Sequence, residues 1–120
     1  MNERPHKKLK AWQRSMDLVS CLYDVTSRFP RNEEFGLKSQ LRRAAVSVPS
    51  NIAEGMTRKS KNEKLHFLLI AQASLSELDT QVEIALRLQY LNQMSFEGIE
   101  NDLMEIQMLV SGLSRSYSKL

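Results

Sequence analysis

The sequence predicts an all-α fold, an up-down-up-down antiparallel four-helix bundle forming a single domain over residues 1–120. Three observations lead there. Four stretches place apolar residues at steps of three and four, the spacing of one helix face. The connections between them are short, which makes consecutive helices antiparallel neighbours. No segment alternates apolar and polar residues with a period of two, so no sheet is predicted. Only four glycines and three prolines interrupt the chain, which suits long helices.

Residues 1–8 read as a flexible tail. The first helix is predicted over about 9–28, with Trp12, Met16, Val19, Tyr23 and Thr26 on one face and Leu18, Leu22, Val25 and Phe29 widening it. Pro30 stops it, because proline cannot continue the hydrogen-bond ladder. Asn32 is the expected N-cap of a second helix over about 33–57, with Glu33 and Glu34 at the positive end of its dipole. Pro49 lies inside that helix, leaves the Ala45 carbonyl without its donor and predicts a kink. A break at Val48–Pro49 is the alternative, disfavoured because the apolar seam passes through without losing phase.

Ser60 and Glu63 match a capping box that starts a third helix over about 61–90. Leu68, Ala71, Leu75, Leu78, Val82, Ala85 and Leu86 form its core stripe. At about 1.5 Å per residue it is roughly 45 Å long. Ser95 is the expected cap of a fourth helix over about 96–117, with Met94 packing on Ile99 as a hydrophobic staple. Phe96, Ile99, Leu103, Ile106, Val110, Leu113 and Tyr117 then alternate steps of three and four, an a/d heptad seam.

The second helix carries more than one patterned face. Leu37, Leu41, Ala44, Val48 and Ile52 form its apolar seam. Beside them runs a polar line of Gln40, Arg43, Ser47, Asn51 and Glu54, continued by Arg58. On the far side Val46, Pro49 and Ala53 make a small apolar strip flanked by Arg42. A lone surface helix needs one apolar stripe, so this one is built to face a core, a polar partner and another subunit. The polar line has two readings. In one, its groups satisfy each other or a neighbouring subunit along the edge of the core, with Glu54 and Arg58 pairing four residues apart. In the other, an arginine-centred patch holds a phosphate.

The run Gly-Leu-Lys-Ser-Gln-Leu-Arg-Arg-Ala-Ala-Val-Ser-Val-Pro-Ser-Asn-Ile-Ala-Glu-Gly, residues 36–55, resembles the signature of the bacterial four-helix bundle family of 23S rRNA-intervening sequence proteins. The likeness extends from His6-Lys7-Lys8-Leu9 through Trp12-Gln13 to the Leu86–Leu91 segment. It implies the bundle fold and no reaction. A related group, the accessory proteins of diversity-generating retroelements, forms pentameric barrels that bind nucleic acid and a reverse transcriptase. The resemblance therefore implies a cyclic homo-oligomer, a pentamer by analogy, and a role beside nucleic acid.

Composition excludes several classes. The chain is 42% hydrophobic and 26% charged, as in soluble globular proteins. It has no run of about 18 apolar residues for a membrane span and no apolar stretch behind its N-terminal charges for a signal peptide. With a single cysteine, Cys21, no internal disulfide can form, and a cytoplasmic location is expected. His6 and His66 have no cysteine or carboxylate at ligand spacing, so no metal site is predicted. Cys21 reads as a small buried hydrophobe rather than a nucleophile. There is no phosphate-cradling glycine loop and no nucleophile elbow. The chain reads as a non-enzyme without a cofactor.

Charge is distributed unevenly. Residues 1–64 carry a balance of +7 and residues 65–120 a balance of −4. Two clusters dominate the basic half: Lys7, Lys8, Lys10 and Arg14 at the start of the first helix, and Arg58, Lys59, Lys61 and Lys64 around the turn between the second and third. In an up-down bundle both lie at one end. They form a solvated tail and turn in a monomer, or a ring of phosphate contacts in an oligomer. The charge asymmetry suits binding of RNA or DNA, and with it the resemblance implies an oligomeric nucleic-acid-binding accessory protein that recruits a partner enzyme. The alternative is a protein–protein scaffold in which the basic hairpin of one subunit docks on the acidic hairpin of the next.

Overall fold

A computed structural model describes residues 4–119. Among these residues the chain forms four long helices: α1 (Lys10–Thr26), α2 (Leu37–Met56), α3 (Lys61–Arg87) and α4 (Gln93–Ser118). Two short 3-10 turns, Pro5–Lys8 and Arg31–Glu33, precede α1 and α2. Each helix packs on two others. α1 lies against α2 and α4, α3 lies against the same two, and the backbones of the diagonal pairs stay apart. On the facing sides of α2 and α3, Ser47 meets Ser74 while Gly55 lies against Phe67. Moving forward along one helix therefore means moving back along the other. The result is an elongated body of 45 × 28 × 21 Å.

The core runs the length of the bundle. Leu22, Leu41, Ile52, Leu68, Leu75, Ile99 and Leu103 are fully buried, each contributing about 1.5–3 kcal/mol relative to exposure. The seams expected for the second, third and fourth helices are the ones that face inward, with Leu37, Leu86, Phe96, Leu113 and Tyr117 only half-buried at the margins.

α1 departs from expectation. Its inward line is Ala11, Ser15, Leu18, Leu22 and Thr26, while Met16 and Tyr23 are exposed. The rotation is possible because two hydroxyls are satisfied inside the helix. Ser15 Oγ donates to the Ala11 carbonyl and Thr26 Oγ1 to the Leu22 carbonyl, both at 2.6 Å. A hydroxyl bonded four residues back can enter a core with little desolvation cost.

Four boundaries also differ. Pro5–Lys8 is a formed turn, tied by Gln13 Nε2 donating to the Lys7 carbonyl at 2.8 Å and by His6 set edge-on to Trp12 at 5.1 Å; the rest of the expected tail, 1–3, lies outside the described residues. α2 begins at Leu37, not 33, and its cap is Glu33, whose Oε1 accepts the Leu37 amide at 2.9 Å in place of Asn32. α3 ends at Arg87 because Gln89 turns into the left-handed region at φ 65°. Tyr90 N then donates to Ala85 O and Gln89 N to Leu86 O, both at 2.9 Å, the paired bonds of a Schellman stop. α4 starts early, at Gln93, because Asn92 Oδ1 accepts the Ser95 amide at 2.8 Å. Met94 is then 83% exposed and staples nothing.

α2 continues unbroken through Pro49, and the proline is buried beside Ala45. The expected outward strip is therefore divided: Pro49 joins the core, while Val46 faces solvent. At the other end, Gly55 lets α2 and α3 approach closely. A Cβ there would sit 3.1 Å from Phe67 Cβ and 3.4 Å from the Lys64 carbonyl.

Candidate nucleic-acid interface and the polar face of α2

The two basic clusters are brought to one end of the bundle. Tyr117, near the end of α4, donates its hydroxyl to Met56 Sδ at 3.4 Å at the end of α2. Lys64, in the first turn of α3, reaches the Met56 carbonyl at 3.5 Å and lies 5.6 Å from the centre of the Tyr117 ring. Leu9, Lys10 and Ala11 share a shallow groove with Leu113 and Ser116 of α4. The start of α1 thus joins the same end.

The eight cations there are not equivalent. Arg58 donates to Glu54 Oε2 at 2.7 Å, and its guanidinium lies 4.9 Å from the Phe67 ring centre. Arg14 pairs with Glu105 of α4 at 3.6 Å, and Lys64 is engaged as described. These three are committed within the chain. Lys7, Lys8, Lys10 and Lys59 are exposed and form no ion pair with the described residues; Lys61 is also at the surface. Arg115, near the end of α4, adds a cation that the sequence patterns did not single out.

The polar line of α2 divides as well. Asn51 Nδ2 donates to the Ser47 carbonyl at 2.8 Å and to Ser47 Oγ at 2.9 Å, and Ser47 Oγ shares a hydrogen bond of 2.8 Å with Ser74 Oγ of α3. This half joins α2 to α3. Gln40, Arg43 and Glu54 are exposed. Arg42 belongs to the opposite flank: Nε donates to Thr26 Oγ1 at 2.9 Å, Nη2 to the Tyr23 carbonyl at 3.1 Å, and the guanidinium lies 4.3 Å from the Tyr23 ring centre. It satisfies the carbonyl end of α1. Arg43 has no hydrogen bond or ion pair with any described residue, and it lines a half-open cleft of ≈ 440 Å³ between α2 and α3 with Gln40, Ser47, Ser74 and Glu77.

Two surface features were not read from the sequence. Phe35, just before α2, is 94% exposed and borders both that cleft and a second groove with Tyr23, Arg42 and Val46. Its position in a turn, outside any three–four spacing, hid it. On α4, Met104, Met108, Ser111 and Arg115 line an outward groove of ≈ 420 Å³ with Gln107. Steps of four, three and four were the available signal there.

No group of three or more His, Cys, Asp or Glu side chains is placed to hold a metal ion among the described residues. Burial, then the charges of Asp102 and Asp24, pushes the Cys21 thiol above its ordinary range, so it stays protonated. Among the described residues Glu100 is the strongly displaced carboxyl. Interaction with the neighbouring Asp79 carboxyl, then burial, then the charges of Asp79 and Glu83, raise it to about 7. Its Oε1 is buried with no hydrogen-bond partner among the described residues. No helix among the described residues is long and apolar enough to cross a membrane.

Comparison with known proteins agrees with this architecture. No curated protein matches the chain. A crystal structure of a protein of unknown function from the S23 ribosomal protein family of Bacteroides thetaiotaomicron VPI-5482 superposes with a TM-score of 0.81 at 23% identity, covering 87% of this chain and 97% of that one; at that identity it shows the shared fold. The 23S rRNA-intervening sequence protein family matches over residues 7–112, nearly the full length, and the chain belongs to that family.

Proposed function

We propose that the protein is a non-enzymatic, oligomeric accessory protein that holds RNA or DNA at its basic end and offers its flanks to a partner enzyme. One observation carries this reading: Lys7, Lys8, Lys10 and Lys59 are exposed at one end of the bundle without ion-pair partners among the described residues. Lysines on flexible stems at a surface suit phosphate contacts that are independent of sequence. Repetition of that end around a cyclic homo-oligomer, such as a pentamer, multiplies the contacts. The family's name, which ties it to ribosomal RNA genes, is in keeping with a nucleic-acid partner.

The test is retention of a structured RNA as salt is raised. Each phosphate contact steepens the logarithmic salt dependence by about 0.7–0.9. Charge reversal of Lys7, Lys8 and Lys59 to Glu weakens binding at least ~10-fold at low salt and flattens that dependence, with helicity unchanged. Absence of binding at about 50 mM salt, or binding indifferent to salt, rejects the reading.

A second reading, a homo-oligomeric scaffold without a nucleic-acid role, is favoured by the balance of +7 in residues 1–64 against −4 in residues 65–120. In that case the same charge reversal dissociates the oligomer and leaves no RNA effect to measure.

A further inference from the structure

We propose that copies of the chain join head to tail, with Phe35 of one entering the methionine groove on α4 of the next; this rests on the oligomeric reading above and names its interface. Phe35 is 94% exposed. A phenylalanine left in water forgoes the burial that makes aromatic side chains the usual anchors of interfaces. Met104 and Met108 are 58% and 72% exposed along an open groove. Methionine is flexible and polarisable, and its sulfur makes favourable contacts with aromatic rings. One surface supplies a knob and the other an adaptable hole.

Their placement dictates the symmetry. α2 and α4 occupy diagonal corners of the bundle, their backbones apart and their side chains meeting where Tyr117 reaches Met56 at the basic end. A two-fold contact would require Phe35 and the groove to share one side, so that each copy could serve the other at once. On opposite sides they form a heterologous contact that passes from copy to copy.

Charge agrees in sign. Between Leu37 and Met56, α2 carries Lys38, Arg42 and Arg43 against Glu54 alone. Between Gln93 and Ser118, α4 carries the acids Glu97, Asp102 and Glu105 against Arg115 alone, with Glu100 only partly ionised near neutral pH. Arg43, which has no hydrogen bond or ion pair with any described residue, borders the Phe35 cleft. The one base at the groove, Arg115, is at its far end, and Glu34 and Glu77 are the acids of the Phe35 surface. Opposite potentials of this kind steer association and set the order of partners.

The experiment is light scattering on the full chain and on Phe35→Glu and Met108→Glu, with helicity recorded for each. Both positions are exposed, so folding is not at stake. The wild type is expected at a multiple of 13.8 kDa, and each variant alone at 13.8 kDa. Mixed in equal amounts, the variants should double that mass, because Phe35→Glu keeps an intact groove and Met108→Glu keeps an intact Phe35. A wild type that stays at one chain at high concentration overturns the oligomeric reading and this interface with it; loss of RNA retention in Phe35→Ala would then assign the ring to base stacking. A wild-type oligomer that survives either variant overturns this interface alone. So does a mixture that remains single chains.

Discussion

The two ends of the bundle close differently. At the end where α1 meets α2 and α3 meets α4, one carboxylate ties the connections together: Glu33 accepts the Leu37 amide through Oε1 and the Tyr90 hydroxyl through Oε2, each at 2.9 Å. Phe29 packs on Tyr90 beside it, ring centres 5.2 Å apart. At the basic end the closure is mostly close packing, with Gly55 against Phe67 and Tyr117 against Met56. Polar groups are consumed internally at the first end, whereas at the second Lys7, Lys8, Lys10 and Lys59 stay outside the closure. Charge available to a partner is found where the fold does not need it.

The sharpest way to break this contrast is to damage packing near the basic end and watch the charges. Ile52→Ala removes a fully buried side chain and should cost about 2–5 kcal/mol, measured by denaturant unfolding. RNA affinity of the folded fraction should not change if the lysines act from outside the core. Gly55→Val comes next. It places a branched side chain where a Cβ already meets Phe67 at 3.1 Å, and overpacking of this kind costs about 1–3 kcal/mol. A thermal scan showing no loss would mean that the α2–α3 contact is looser than described.

At the opposite end the expected change is a gain. Gln89 sits at φ 65°, a conformation glycine adopts freely and other residues adopt at a cost of about 1 kcal/mol. Gln89→Gly should therefore raise the melting temperature by roughly 3–5 °C.

The remaining effects are those of pH. Donation from the Leu37 amide, then from Tyr90, holds Glu33 below the ordinary carboxylate range. Its stabilisation is complete above the unfolded value of about 4.3 and is lost as pH falls through the depressed folded value. Glu33→Ala should remove that acid-side loss. Glu100 behaves oppositely: raised to about 7, it weakens the fold progressively as pH climbs from about 4.3 towards that value. Glu100→Gln should flatten the slope above about 4.3.

How much of this was legible depended on where polar residues sat. α4 could be read directly because every residue of its seam is apolar, and Ile99, Leu103, Ile106 and Val110 are buried as the spacing required. α1 could not, because Ser15 and Thr26 enter the core under cover of hydroxyl bonds to their own helix. Helix ends failed where a residue outside the helix set the boundary, as Glu33 does for α2 and Gln89 for α3. The basic clusters were visible as composition, and one commitment with them, the Glu54–Arg58 pair four residues apart. The Phe67 ring beside Arg58, and the carbonyl and ring that engage Lys64, are brought near only by the folded chain. Phe35 had no periodicity to betray it.

Arg42 and Arg43 are adjacent in the chain but differ in what they can tolerate as the sequence diverges. The planar guanidinium of Arg42 bridges a hydroxyl, a carbonyl and an aromatic face at once, a task no ammonium group can copy. Arg43 has no hydrogen bond or ion pair with any described residue. Lysine at 42 would loosen the joint between the first two helices, whereas lysine at 43 would be felt only by whatever meets that flank from outside.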